Sequence, residues 1–295
     1  MKVLVVGSTG QLARCLAERA EHRAGLVLVA LGRPDLDLEI TGTAEAAIRR
    51  VGPDAIINAA AFTDVDGAED DPARAFRINA EAAGEVAKAA LALDRPVVHI
   101  STDYVFDGSA LSAYSEDATC NPLGVYGQSK LAGEERVRAA NPASVIVRSA
   151  WIYSPFGHNF VKTMFEAAEQ RNTLSVVADQ RGSPTSALDL ADGLLTLIEN
   201  WRGGERTGQG EIYHIAGSGE ASWHDLAQEV MDCRAKLGLR SSTIDPIRSD
   251  QWPVRARRPR NSVLDSRKFK RDFGFRLPDW RPSVAEVVNR LAAKN

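Results

Sequence analysis

Tyr126 and Lys130 stand four residues apart in a stretch, 123–140, whose composition predicts a helix, so their side chains share one face a turn apart. That spacing suits acid–base chemistry. An ammonium a few ångströms from a phenol pulls its pKa down from about 10 toward working pH, and the same lysine reaches a ribose hydroxyl. Thr102 lies in Ser101-Thr102-Asp103-Tyr104-Val105-Phe106, directly after an apolar run. A hydroxyl there either polarises a carbonyl or caps a turn. Gly7-Ser8-Thr9-Gly10-Gln11-Leu12-Ala13 follows the first apolar run and opens a helical stretch. In this setting backbone N–H groups at a helix N-terminus take a pyrophosphate, which points to NAD or NADP, although an ordinary tight turn has the same glycines.

The acidic residue that would hold the ribose 2′-OH of NAD, about 20 positions beyond the glycines, is missing. The second strand ends in Gly32-Arg33 instead. Arg33 either faces a 2′-phosphate, favouring NADPH over NADH, or is a solvated side chain beside a turn. Asp37 and Leu38 either hold the adenine edge or lead into the next helix.

Positioning these residues requires strands that end where the chemistry begins. Segments 3–6, 26–31, 55–57, 97–100 and 144–147 read as strands, and 11–20, 43–51, 72–93 and 123–140 as helices. The alternation predicts an α/β fold, a doubly wound parallel sheet with a smaller C-terminal lobe. Residues 1–150 are expected to form the NAD(P)-binding domain, with segments near 186–220 returning to it, and 151–295 mainly a substrate-binding lobe. Within that lobe 153–159 reads as loop, and 189–201 and 223–237 as helices. Between residues 234 and 281 the chain is basic, with 14 Lys or Arg against 5 Asp.

Composition excludes several classes. With 44% hydrophobic and 25% charged residues in 295, the chain is neither intrinsically disordered nor fibrous. Its 36 basic and 39 acidic residues leave a net charge of -3, too balanced for a protein that binds nucleic acid or an acidic membrane with its whole surface. Cys15, Cys120 and Cys233 lie far apart with no CxxC pair, and the five histidines show no metal spacing, so neither disulfide nor metal is expected. No apolar run approaches the ~18 residues of a membrane span, and the expected compartment is the cytoplasm.

The order of glycine turn, Thr102 and Tyr126-x-x-x-Lys130 resembles the extended short-chain dehydrogenase/reductase superfamily. Further blocks, Asn58-Ala59-Ala60-Ala61-Phe62-Thr63-Asp64, Arg148-Ser149-Ala150-Trp151, Asp179-Gln180-Arg181-Gly182-Ser183-Pro184-Thr185 and Arg257-Arg258-Pro259-Arg260-Asn261-Ser262, are similar to its dTDP-4-dehydrorhamnose reductase family. The resemblance implies NADPH-dependent reduction of the C4 ketone of dTDP-4-dehydro-L-rhamnose to dTDP-L-rhamnose. It makes Tyr126 the proton donor, Lys130 its tuner and the holder of the nicotinamide ribose, and Thr102 the partner of the carbonyl. Gly7, Thr9, Gly10, Gln11, Leu12, Arg33, Asp37, Leu38, Ala59, Ala60, Ala61 and Asn79 would complete the cofactor site. Asp103, Tyr104 and Trp151 would line the sugar pocket, Trp151 offering an aromatic face. Asn159, Lys162 and Arg258 would meet the diphosphate.

Some family members are thought to dimerise through a metal held by acidic residues, one of them in the first helix. Arg14-Cys15 occupies that region here, so a monomer or a weak, metal-free homodimer is expected. Related 4,6-dehydratases carry a Glu after the Thr-Asp pair where this chain has Tyr104. Another nucleotide-sugar reductase or epimerase of the superfamily and a non-catalytic NADP-binding regulatory subunit remain alternatives. An RNA-binding module lacks the interleaved aromatic residues that stack bases.

Overall fold

The computed structural model describes residues 1–293; positions 294 and 295, the end of the expected 151–295 lobe, lie outside them. The first half runs β1 (Lys2–Val6), α1 (Gln11–Ala20), β2 (Val27–Leu31), α2 (Thr43–Val51), β3 (Ala55–Asn58), α3 (Val65–Asp70), α4 (Pro72–Phe76), α5 (Ala82–Leu91), β4 (Val97–Thr102), α6 (Val125–Ala140) and β5 (Val145–Ser149). Then come β6 (Ile152–Tyr153), α7 (Phe160–Ala167), β7 (Thr173–Val177), β8 (Arg181–Gly182), β9 (Thr185–Ser186), α8 (Ala187–Glu199) and β10 (Ile212–His214). The chain closes with β11 (Ala221–Ser222), α9 (Trp223–Lys236), β12 (Thr243–Ile247), α10 (Arg267–Phe273) and α11 (Trp280–Ala292). None of the described helices is long and apolar enough to cross a membrane.

Six strands pair in parallel in the order β10-β5-β4-β3-β1-β2, the doubly wound α/β arrangement expected. Val3 and Val5 enter one core and Leu4 and Val6 the other, because strand side chains alternate and helices cover both faces. On the first face α1 and α8 bring Leu12, Leu16, Leu190 and Leu194. On the second, α2 and α5 bring Ile48 and Val86. Full burial of each such side chain contributes about 1.5–3 kcal/mol. After α8 the chain returns through β10 to the sheet edge beside β5.

A separate core holds α7, α9, α11 and the parallel β7–β12 pair together through Phe165, Leu226, Val230, Trp280 and Val287. Ser222 starts α9 with a capping box: its hydroxyl accepts the Asp225 N–H at 3.0 Å, and the Asp225 carboxylate accepts the Ser222 N–H at 2.8 Å.

Three local expectations change. The rod expected over 72–93 is helical but opens into a π-turn at Arg77–Glu81, which aims Asn79 across at α6. The helix over 123–140 begins at Val125, since Gly124 is extended and Glu69 of α3 caps it by accepting the Val125 N–H at 2.8 Å. Of the loop expected over 153–159, Tyr153 belongs to β6, while Asn159 caps α7, a helix the reading did not foresee.

Candidate active site

β4 delivers Thr102 to the C-terminal edge of the sheet, and α6 lays Tyr126 and Lys130 along it. Tyr126 contacts the Thr102 hydroxyl, and its ring meets Tyr104 edge-on at 5.6 Å. Thr102 donates to Asp103 Oδ1 at 3.1 Å and accepts the Tyr104 N–H at 3.2 Å. The Lys130 ammonium, 2% exposed, donates to the Ile100 carbonyl at 2.6 Å. Close approach of α6 depends on Gly127, where a Cβ would lie 2.2 Å from the Tyr104 carbonyl.

Burial sets the protonation states. It pushes the Tyr126 phenol up to about 12, with Asp103 adding to the rise and the Thr102 contact opposing it. This corrects the expectation of a phenol lowered by Lys130, whose charge is instead directed at the Ile100 carbonyl. Burial also brings Lys130 itself down to about 8, against the pull of Glu134 in the other direction. Asp103 rises to about 6 through desolvation, and its Oδ2 is buried without a hydrogen-bond partner among the described residues.

Across β3, the turn after β1 has Gly7 at φ 105° with its N–H on the Leu31 carbonyl at 2.7 Å. The extended N-cap of α1, Gly10, offers no side-chain cap, and a Cβ there would meet nothing within 4 Å. Free N–H groups facing open space fit a dinucleotide pyrophosphate. Thr9 is exposed beside them, and Gln11 accepts from the Ser154 hydroxyl at 2.9 Å. Leu12 is core, so only its backbone faces the turn. Ala59, Ala60 and Ala61 leave the end of β3, with Ala60 against Gly7. Arg33, its side chain 68% exposed, lies 3.6 Å from Glu39, open to an added phosphate. Asp37 accepts the Glu39 N–H at 3.0 Å in a turn.

Several expected contacts are taken up within the protein. Leu38 is buried in the core under β2, so an adenine edge cannot rest on its side chain. The Asn79 amide is filled by the Phe62 backbone N–H and carbonyl and by Ser129, which makes it a brace between the β3 loop and α6. Asn159 caps α7 by accepting the Lys162 N–H and donates to the Ser154 and Phe156 carbonyls. Lys162 pairs with Glu166 at 3.7 Å and stays partly exposed. Arg258 pairs with Asp66 at 3.0 Å, leaving its Nε buried and unpartnered among the described residues. One face of Trp151 is not free: Trp223 stacks on it at 3.6 Å.

The sequence reading missed the acidic face of α3. Asp66 accepts the Arg255 and Ala256 N–H groups and pairs with Arg258, while Asp70 pairs with Arg255, so part of the basic stretch is neutralised. It also missed Trp223, Glu134 and Arg148. Only Glu134 carried a signal, its place one further turn along the Tyr126–Lys130 face.

The model of the RmlD substrate binding domain family matches residues 1–293. A dTDP-4-dehydrorhamnose reductase from Sinorhizobium fredii is 41% identical, covering 98% of this chain and 97% of that protein. A solved dTDP-4-dehydrorhamnose reductase from Clostridium acetobutylicum superposes with a TM-score of 0.91 at 34% identity, over 99% of this chain and 100% of that one. The Bacillus anthracis enzyme of that name, solved in complex with NADP, gives 0.88 at 31%, over 100% and 99%.

Proposed function

The chain belongs to the RmlD substrate binding domain family, and from that membership we propose that it reduces the C4 ketone of dTDP-4-dehydro-L-rhamnose with NADPH, yielding dTDP-L-rhamnose. The observation that carries this proposal is the gathering of Thr102, Tyr126 and Lys130 at the end of β4, with the open glycine turn of β1 just across β3. Residues 1–150 serve the cofactor, with the 186–220 region returning to them, and the rest mainly serves the sugar nucleotide.

NADPH, when bound, supplies the hydride. Gly7, Thr9, Gly10 and the first N–H groups of α1 would hold its pyrophosphate, Ala59, Ala60 and Ala61 would lie along the cofactor, and Arg33 would meet its 2′-phosphate. Tyr126, kept protonated by burial, gives its proton to the C4 oxygen as negative charge develops there. Thr102 turns its hydrogen bond from Asp103 to that oxygen. Lys130 carries three donors; one rests on Ile100, which leaves two for the nicotinamide ribose. Asp103, Tyr104 and the free part of Trp151 line the sugar pocket, while Arg258 and Lys162 supply cations for the diphosphate. Tyr104, its phenol also raised by burial, offers no carboxylate base for eliminating water, so the product is a simple alcohol. The enzyme acts in the cytoplasm as a monomer or a metal-free homodimer.

Turnover of dTDP-4-dehydro-L-rhamnose with C4-deuterated NADPH tests this. A product that has gained one deuterium, on the sugar C4, and one hydrogen is the expected result. An unchanged sugar, with cofactor binding demonstrated separately, would favour a non-catalytic role.

A further inference from the structure

Tyr126, Lys130 and Glu134 recur every fourth residue on one stripe of α6, and the stripe meets three consecutive residues of β4. Tyr126 contacts Thr102, Lys130 donates to the Ile100 carbonyl, and Glu134 Oε1 accepts from the Ser101 hydroxyl at 2.5 Å. Arg148 of β5 grips the same carboxylate with two parallel bonds, Nε to Oε1 at 2.9 Å and Nη2 to Oε2 at 2.7 Å. Both side chains are 3% exposed. The guanidinium is held further by the Glu116 carbonyl, Cys120 and the Phe106 ring.

Stability does not account for this pair. Desolvating two charges offsets most of their attraction, and well-packed apolar residues in their place are commonly as stable. What distinguishes the pair is its position. Glu134 lies one turn behind the lysine of the site and bonds the strand residue between the lysine's acceptor and Thr102.

We propose that Glu134, seated by Arg148 and Ser101, is a positioning residue: it fixes α6 in register on β4 and gives Lys130 the anionic neighbour that favours its ammonium form. The proposal rests on the reduction described above. The titratable and charged groups around Lys130 are His99 on β4, Tyr126 and Glu134 on its own helix, Arg148 on β5 behind Glu134, and Asp103 beside Tyr126 at the strand end. His99 is fully buried and held neutral, so it sets no positive charge against Lys130, and Glu134 is the anion that acts on the ammonium.

Glu134→Gln keeps the shape and removes the charge. Two measurements read it: the alkaline limb of kcat, and the Lys130 titration followed by NMR of ¹³Cε-lysine in the cofactor-free protein, assigned with Lys130→Arg. Both are expected to move about one unit to lower pH. At pH 8, kcat falls about fivefold while KM for the sugar nucleotide stays within about twofold. If the variant fails to fold because Arg148 is stranded, Glu134→Gln/Arg148→Met removes both charges; losing the cation offsets part of the effect of losing the anion, so a smaller displacement in the same direction is expected. Lowered thermal stability with neither pH curve displaced would overturn the proposal and leave Glu134 a structural residue. Absence of turnover in the wild type would instead count against the reduction, and the NMR titration would still decide whether Glu134 acts on Lys130.

Discussion

The indoles of Trp151 and Trp223 lie stacked, centroids 3.6 Å apart and planes 5° from parallel, and they tie the end of β5 to the start of α9. Trp151 holds a positive φ of 46°, unfavourable for a bulky side chain. Gly182 makes room for it, since a Cβ there would fall 2.3 Å from the indole. The neighbouring cores thus hold a strained residue, with Trp223 backing it.

Replacing Trp223 with Ala is expected to free Trp151 and remove a stacking term of about 1 kcal/mol in addition to buried area. The exciton couplet of the stacked indoles in far-ultraviolet circular dichroism should vanish. KM for the sugar nucleotide should rise about tenfold with kcat nearly unchanged, and Trp223→Phe should restore most of it. An unaltered KM in the Ala variant would remove Trp151 from the sugar pocket.

Two site residues are destabilising near neutrality. Lys130 titrates near 8 in the folded chain against an ordinary 10.5, so the unfolded chain binds more protons between those values and stability rises with pH across that window. Asp103 titrates near 6 against an ordinary 3.8, so the folded chain binds more protons in between and stability falls as pH rises through that range. At about 1.4 kcal/mol per unit, each costs roughly 3 kcal/mol at pH 7. Lys130→Met should therefore raise the denaturation midpoint at pH 7 while abolishing activity, and the gain should disappear by about pH 10.5. Asp103→Asn should stabilise at pH 7 but not at pH 4. Differences that do not change with pH would contradict both assignments.

Local signals explain which elements were legible. The predicted bounds of α1 and α2 match the observed ones, since apolar spacing and, for α2, the Gly52-Pro53 stop act within a few residues. The β7–β12 pair was not legible, because Thr173 finds its partner Thr243 seventy residues on, beyond any periodicity. In the site, the Tyr126–Lys130 face followed from helix geometry. The destination of the Lys130 ammonium did not, because it depends on a carbonyl of another element. Asn79 shows the same division: the family resemblance names the residue, while Phe62 and Ser129, which occupy its amide, are brought to it only by the packing of α6 on the π-turn.

Cofactor choice should rest on Arg33. Among the described residues its exposed guanidinium has only a long pair with Glu39, which Arg74 also holds at 2.7 Å. Arg33→Ala is expected to weaken NADPH binding about tenfold, by loss of a charge-assisted contact, and to leave NADH binding unaltered. Titration calorimetry with each nucleotide would read this directly. Equal losses for both would move the 2′-phosphate elsewhere.

Comparing Tyr126→Phe with the wild type tests the central claim most directly, by following NADPH absorbance with dTDP-4-dehydro-L-rhamnose and confirming in parallel that NADPH still binds. The phenyl ring preserves the contact with Tyr104 and removes only the hydroxyl. A wild type that turns over, with a kcat reduced by about 10²–10⁴ in the variant and cofactor affinity intact, is the predicted result. Turnover within a fewfold of wild type would contradict it and assign the proton to another donor.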